Sequence, residues 1–160
     1  MNKLKCALAG VALAAPLALS AGASAGDSPF SGLVGAWAGS GSVRLENGKS
    51  ERLKCKGYYN AKQASGLGMA INCGSAAFKI NMRAMLTNSG GQIAGTWEER
   101  EFNQVGELSG KATASGFSLK FSGAISGTIS VATSGGSQSV SISTGGPGFT
   151  GVNLQFAKND

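Results

Sequence analysis

Few side chains in this chain can do chemistry, and the gap in the inventory is the first constraint: among 160 residues there is no histidine. Histidine is the commonest general base and a frequent ligand of zinc, copper and haem iron. Its absence excludes Ser-His-Asp triads, His-ligated haem and typical zinc hydrolases. Two carboxylates stand close together, Glu99 and Glu101. Same-face neighbours on one strand rarely flank a glycosidic bond from opposite sides, as a hydrolase pair must. Cys55 and Cys73 lack the Cys-x-x-Cys spacing of a redox couple. The expectation is a non-enzymatic protein with no metal and no cofactor.

What the cysteines do instead depends on where the chain folds. Lys3 and Lys5 precede an apolar run from about Ala7 to Leu19, and Ala23-Ser24-Ala25 supplies small residues after it. This is the pattern of a secretory signal peptide over residues 1–25, cleaved after Ala25. The expected mature protein is exported, periplasmic or secreted, and spans residues 26–160, a length that suits one domain. Cys6 comes before the apolar run, whereas an acylation cysteine must follow it. Cys55 and Cys73 are left as a pair in an oxidising compartment and are expected to form a disulfide. No later apolar run approaches the roughly 20 residues of a transmembrane helix.

The elements that must position these residues are strands. Apolar and polar residues alternate between short clusters of Gly, Ser and Asn, which is the period of a half-buried β-strand. Eight to ten strands fit, beginning near Val34 to Leu45. The first leads into Asn47-Gly48, a pair suited to a type I′ turn. A loop near Asn60 to Gly66 separates the second strand from the third. Antiparallel pairing that sets Tyr59 opposite Met69 and Gly57 opposite Ile71 also sets Cys55 opposite Cys73, so the disulfide staples a hairpin. A short repeat, Gly-x-[Ile/Leu]-x-Gly, recurs at Gly91, Gly106 and Gly123 and fits successive arms of a meander. Consecutive strands with short links and no helix between them favour an all-β, antiparallel up-and-down barrel, which leaves no exposed edges.

One face of these strands is nearly all apolar or glycine, and the other carries nearly all the Lys and Arg. With the apolar face inward, Trp37, Tyr59, Met69, Phe78, Met82, Trp97 and Phe121 become candidate contacts for a ligand inside the barrel. Glu99, Glu101 and Lys158 keep the apolar phase but fall at strand ends. They are expected at the rim, where Glu99 or Lys158 can also serve as a polar anchor for an amphipathic molecule.

Gly35-Ala36-Trp37 at the start of the first strand, followed by a meander, resembles the calycin group of barrels, including the lipocalins. The resemblance implies a tryptophan that plugs the closed end beneath a basic residue from near the end of the barrel, a role that Lys158 can fill. The chain has neither the family's Thr-Asp-x-x-Tyr motif nor a helical pattern after the last strand. Ten strands are also similar to fatty-acid-binding and nitrobindin-type barrels, though a nitrobindin-like haem ligand is missing without histidine.

Charge says less about function. Without Lys3 and Lys5, 12 Lys and Arg face 8 Asp and Glu, a net +4. The basic residues concentrate between Arg44 and Lys62, and four glutamates fall between Glu98 and Glu107. Solvated strand faces account for this, and so does a patch attracting anionic lipid, lipopolysaccharide or polysaccharide. No nucleic-acid partner is required. The favoured expectation is a periplasmic or secreted barrel binding a lipid-like apolar or amphipathic molecule. The alternatives are an interaction module for an envelope protein, such as a hydrolase inhibitor working through the Asn60 to Gly66 loop or Gly145 to Gly148, and an outer-membrane barrel with its apolar face turned to lipid.

Overall fold

In the computed structural model, residues 28–63 and 65–159 are described. Both the signal-peptide reading and Cys6 fall on residues 1–25, outside that range. Ten strands follow in order: β1 (Gly35–Leu45), β2 (Ser50–Lys62), β3 (Gly66–Gly74), β4 (Lys79–Ser89), β5 (Gln92–Glu99), β6 (Gln104–Thr113), β7 (Gly116–Gly123), β8 (Gly127–Ser134), β9 (Ser137–Thr144) and β10 (Phe149–Lys158). Each pairs antiparallel with its neighbours in sequence, and β1 pairs with β10 to close an up-and-down barrel. Closure gives every strand two partners, so no backbone edge is left to recruit another chain.

The alternation places side chains as the sequence reading requires. Leu53, Cys55, Gly57 and Tyr59 of β2 point inward, while Arg52, Lys54, Lys56 and Tyr58 are exposed. The register pairs Cys55 with Cys73, Gly57 with Ile71 and Tyr59 with Met69. The two cysteines form a disulfide across Cα atoms 4.1 Å apart. Their separation of 18 residues corresponds to about 3 kcal/mol of stabilisation in the chain-entropy treatment. The charged face is the outer wall, so this barrel does not present the outward apolar band of an outer-membrane protein.

The glycines of the repeat make room for the core. Trp97 lies opposite Gly106, which in turn faces Gly123, and Phe121 lies opposite Gly127. A methyl group on Gly106 would run into the Ser122 carbonyl and stand 2.6 Å from Trp97 Nε1. Large rings therefore fit inside a narrow cylinder because the neighbouring strands carry nothing at those positions.

Two expectations need correcting. The β1–β2 connection is not a type I′ turn: Gly48 has φ +82, but Asn47 is absent from the positive-φ residues. Gly48 N–H donates to the Leu45 carbonyl and Leu45 N–H to the Lys49 carbonyl, the pattern of a three-residue loop with a type I turn and a glycine bulge. Glu46 adds the extra residue that a two-residue turn excludes. The pairs with positive φ at both positions are Gly90-Gly91 and Gly135-Gly136. The second correction is to the Asn60 to Gly66 loop: β2 runs on to Lys62, leaving only residues 63–65 as the connection. Little of it is left to protrude towards a partner.

Candidate functional site

The two ends of the cylinder are built differently. At one end Phe30 and Leu33, in the turn before β1, are buried against the strands, with Phe30 edge-on to Phe117 at 5.9 Å. Trp37 is 1 % exposed, and its Nε1–H donates to the Leu33 carbonyl at 2.7 Å. Lys158 is its register partner on β10, and the ammonium lies 5.7 Å from the Trp37 ring centroid. A cation over an indole face is favourable, and this is the arrangement that the calycin resemblance implies. Tyr59 packs against Trp37 at 6.3 Å and donates its hydroxyl hydrogen to Gln138 Oε1 at 3.1 Å. Burial pushes the Tyr59 hydroxyl up to about 12, against a smaller downward pull from the Gln138 hydrogen bond.

The opposite end is not sealed in this way. A cavity of about 90 Å³ lies beneath it, lined by Met69, Met82, Trp97, Leu108, Phe121, Ile129 and other apolar side chains, with no polar group among them. Ile71, Ile125, Ile142 and Phe149 also face this space and remain partly exposed. Longer connections surround it, residues 75–78, 100–103, 124–126 and 145–148.

Four of the candidate ligand contacts therefore meet at one cavity: Met69, Met82, Trp97 and Phe121. Phe78 packs against the core from the 75–78 connection, without lining the cavity. Trp37 and Tyr59 belong to the sealed end, and Lys158 lies over Trp37 there, on the exposed side and away from the open mouth. Glu99 is not a solvated rim residue: it is 8 % exposed. Its Oε1 accepts the Asn81 N–H at 2.6 Å and its Oε2 accepts the Phe102 N–H at 2.7 Å. The carboxylate ties the β5–β6 connection to β4. Glu101, next in phase, lies in that connection and is exposed.

Sequence reasoning missed the plug and the polar partner of Tyr59. Gln138 is 1 % exposed and sits in the same inward phase as Val140 and Ile142; reading that phase one step further back would have found it. Phe30 and Leu33 carry no periodic signal, because a turn has none.

No protein-family model matches this chain, and no curated protein matches it in sequence. Solved structures match in shape. Rv2717c from M. tuberculosis aligns with a TM-score of 0.65 and 13 % identity, over 82 % of this chain and 95 % of that one. The S-type phycobiliprotein lyase CPES from Guillardia theta aligns with a TM-score of 0.60 and 13 % identity, over 82 % and 90 %. These matches fit a calycin-like barrel fold, and at such identity they speak to fold alone.

Proposed function

We propose that this protein is a non-enzymatic binding barrel of the cell envelope that receives the apolar end of an amphipathic molecule, such as an envelope lipid, through its unsealed end. The observation that carries the reading is the cavity beneath that end, lined by apolar side chains only. A void of this kind offers water no hydrogen-bonding partner. An alkyl segment entering it gains about 0.8 kcal/mol per buried methylene.

The size of the cavity specifies the guest. At about 90 Å³ it is well below the roughly 300–1,000 Å³ of pockets that enclose a drug-sized molecule. The fitting group is a slim chain end, with the polar remainder left at the mouth. Met69 and Met82 form part of the wall, and unbranched thioether side chains adapt to an incoming chain more readily than branched ones. The signal-like residues 1–25 and the Cys55–Cys73 disulfide support an exported location.

The test uses protein purified without detergent. Native mass spectrometry is expected to show a co-purifying lipid, and a fluorescent fatty acid is expected to bind and be displaced by unlabelled acid. Met82→Trp fills the cavity and is expected to abolish that binding while the barrel stays folded by circular dichroism. Absence of any lipid or fatty-acid affinity in the wild type, or unchanged affinity in folded Met82→Trp, would overturn the reading.

A further inference from the structure

A second, larger concavity lies on the outside of the barrel. It has a volume of about 470 Å³ and crosses the outer faces of β2 to β5. Its floor is Gly68 and Ala70 of β3, which carry almost no side chain. Across that floor the register aligns Tyr58 with Ala70, Arg83 and Glu98, and Asn60 with Gly68 and Met85. Asn60 and Lys62 lean over the glycine: a methyl group on Gly68 would collide with Asn60 Oδ1 and come within 3.0 Å of Lys62 Cε. The missing side chain is what lets the amide and the lysine stem lie there.

The walls combine two chemistries. Tyr58 and Met85 are both 50 % exposed, and Tyr58 offers an aromatic face beside the floor. Lys62, Arg83 and Arg100 supply positive charge against the single carboxylate of Glu98, which pairs with Arg100 at 2.6 Å. Among the described residues, Lys62 and Arg83 have no carboxylate partner. Among the described residues, the Arg83 guanidinium donates to the carbonyl of Met82. The charge continues along the exposed side of β2 through Lys56, Lys54 and Arg52, one at every second residue, with Asn72 and Gly74 of β3 opposite Lys56 and Lys54.

We infer that this groove binds an acidic saccharide chain, with a sugar ring lying on Tyr58 and its carboxylate or phosphate groups held by Lys62, Arg83 and the β2 lysines. An apolar chain does not suit walls of Lys and Arg, because burying those charges without partners is costly. Carboxylate and phosphate match a free guanidinium geometrically as well as by charge. The site is separate from the interior cavity, and its test does not depend on that reading.

Calorimetric titration of the full protein with a galacturonate oligomer and with a sugar phosphate, each beside its neutral counterpart, decides the matter. Saturable binding of the acidic oligomer, weakening as salt rises and strengthening with oligomer length, is the expected result. Arg83→Ala, Lys62→Ala and Tyr58→Ala are each expected to weaken it on the order of tenfold, about 1.4 kcal/mol. Lys120→Ala, on the outer face of β7, is expected to leave it unchanged, and fatty-acid binding is expected to be the same in all four variants. Ala70→Glu fills the floor with negative charge and is expected to abolish saccharide binding without unfolding the barrel. Failure of both acidic probes to bind, equal binding of the neutral sugars, tighter binding of a single-stranded oligonucleotide, or indifference to the Arg83 and Lys62 substitutions would overturn the inference.

Discussion

The sealed and unsealed ends of this barrel are made from the same strands, yet they solve opposite problems. At the sealed end, glycine pairs make the β4–β5 and β8–β9 turns as short as antiparallel strands allow, and Phe30, Leu33 and Trp37 fill the space beneath them. Both indole N–H groups in the barrel find carbonyls, Trp37 at Leu33 and Trp97 at Ser122. At the unsealed end the connections are longer, Phe102 is 58 % exposed, and apolar side chains line a space they do not fill. One end is filled by buried side chains, and the other keeps an unfilled apolar space. Regions that admit ligands are drawn from the less tightly packed parts of a structure.

The strongest way to break this comparison is to remove a ring from the sealed end. Trp37→Ala deletes a fully buried indole and is expected to cost about 3–5 kcal/mol in urea unfolding. Met82→Ala, at the partly exposed wall of the cavity, is expected to cost less than about 2 kcal/mol, because its surroundings are already incompletely packed. Equal losses would mean that the ends do not differ in the way described.

Alkaline titration sharpens the same contrast. Tyr59 stays protonated in the folded barrel up to about 12, while the unfolded chain ionises at 10.0. Its contribution to stability is complete below pH 10 and is lost as the pH rises from 10 towards 12, on the order of 3 kcal/mol in total. The Tyr59→Phe variant is expected to lose less stability over that interval than the wild type. Parallel pH profiles would place the Tyr59 hydroxyl in water.

A smaller effect than that of Tyr59 is expected at the unsealed end. Glu99→Gln keeps one accepting oxygen but replaces the other with an amide NH2, itself a donor, facing the N–H of Asn81 or Phe102. A cost of about 2 kcal/mol follows from weakening two bonds to a charged acceptor. Amide exchange is expected to quicken at Asn81 and Phe102 and to stay slow at Leu33 and Trp37. Uniform quickening through the barrel would show that Glu99 supports the whole fold and not one connection.

Much of the fold was legible in the order of residues. Alternation marks which residues share a face of a strand, and a one-residue slip would move every apolar side chain to the opposite face, so the Cys55–Cys73, Gly57–Ile71 and Tyr59–Met69 pairings were readable from residue order. The candidate site was legible only in part. Met69, Met82, Trp97 and Phe121 shared a phase, but phase does not say how far along the cylinder a residue lies, and Trp37, Tyr59 and Lys158 share it too. Glu99 matched a rim position in the alternation, and only the tertiary structure brings the Asn81 N–H of β4 and the Phe102 N–H of the 100–103 connection to its carboxylate.

Residue order alone settled the strand class, which residues share a face, the disulfide partners and the exclusion of histidine chemistry, because these depend on neighbours in sequence or on one hairpin; that the apolar face turns inward came from the closed barrel. Tertiary structure alone decided which end is plugged, how much space the side chains leave inside, and that Gly68 and Ala70 lie beneath Tyr58, Lys62 and Arg83. Those properties are set by strands distant in sequence meeting around a closed ring, and volume and juxtaposition across a ring leave no local pattern in a linear chain.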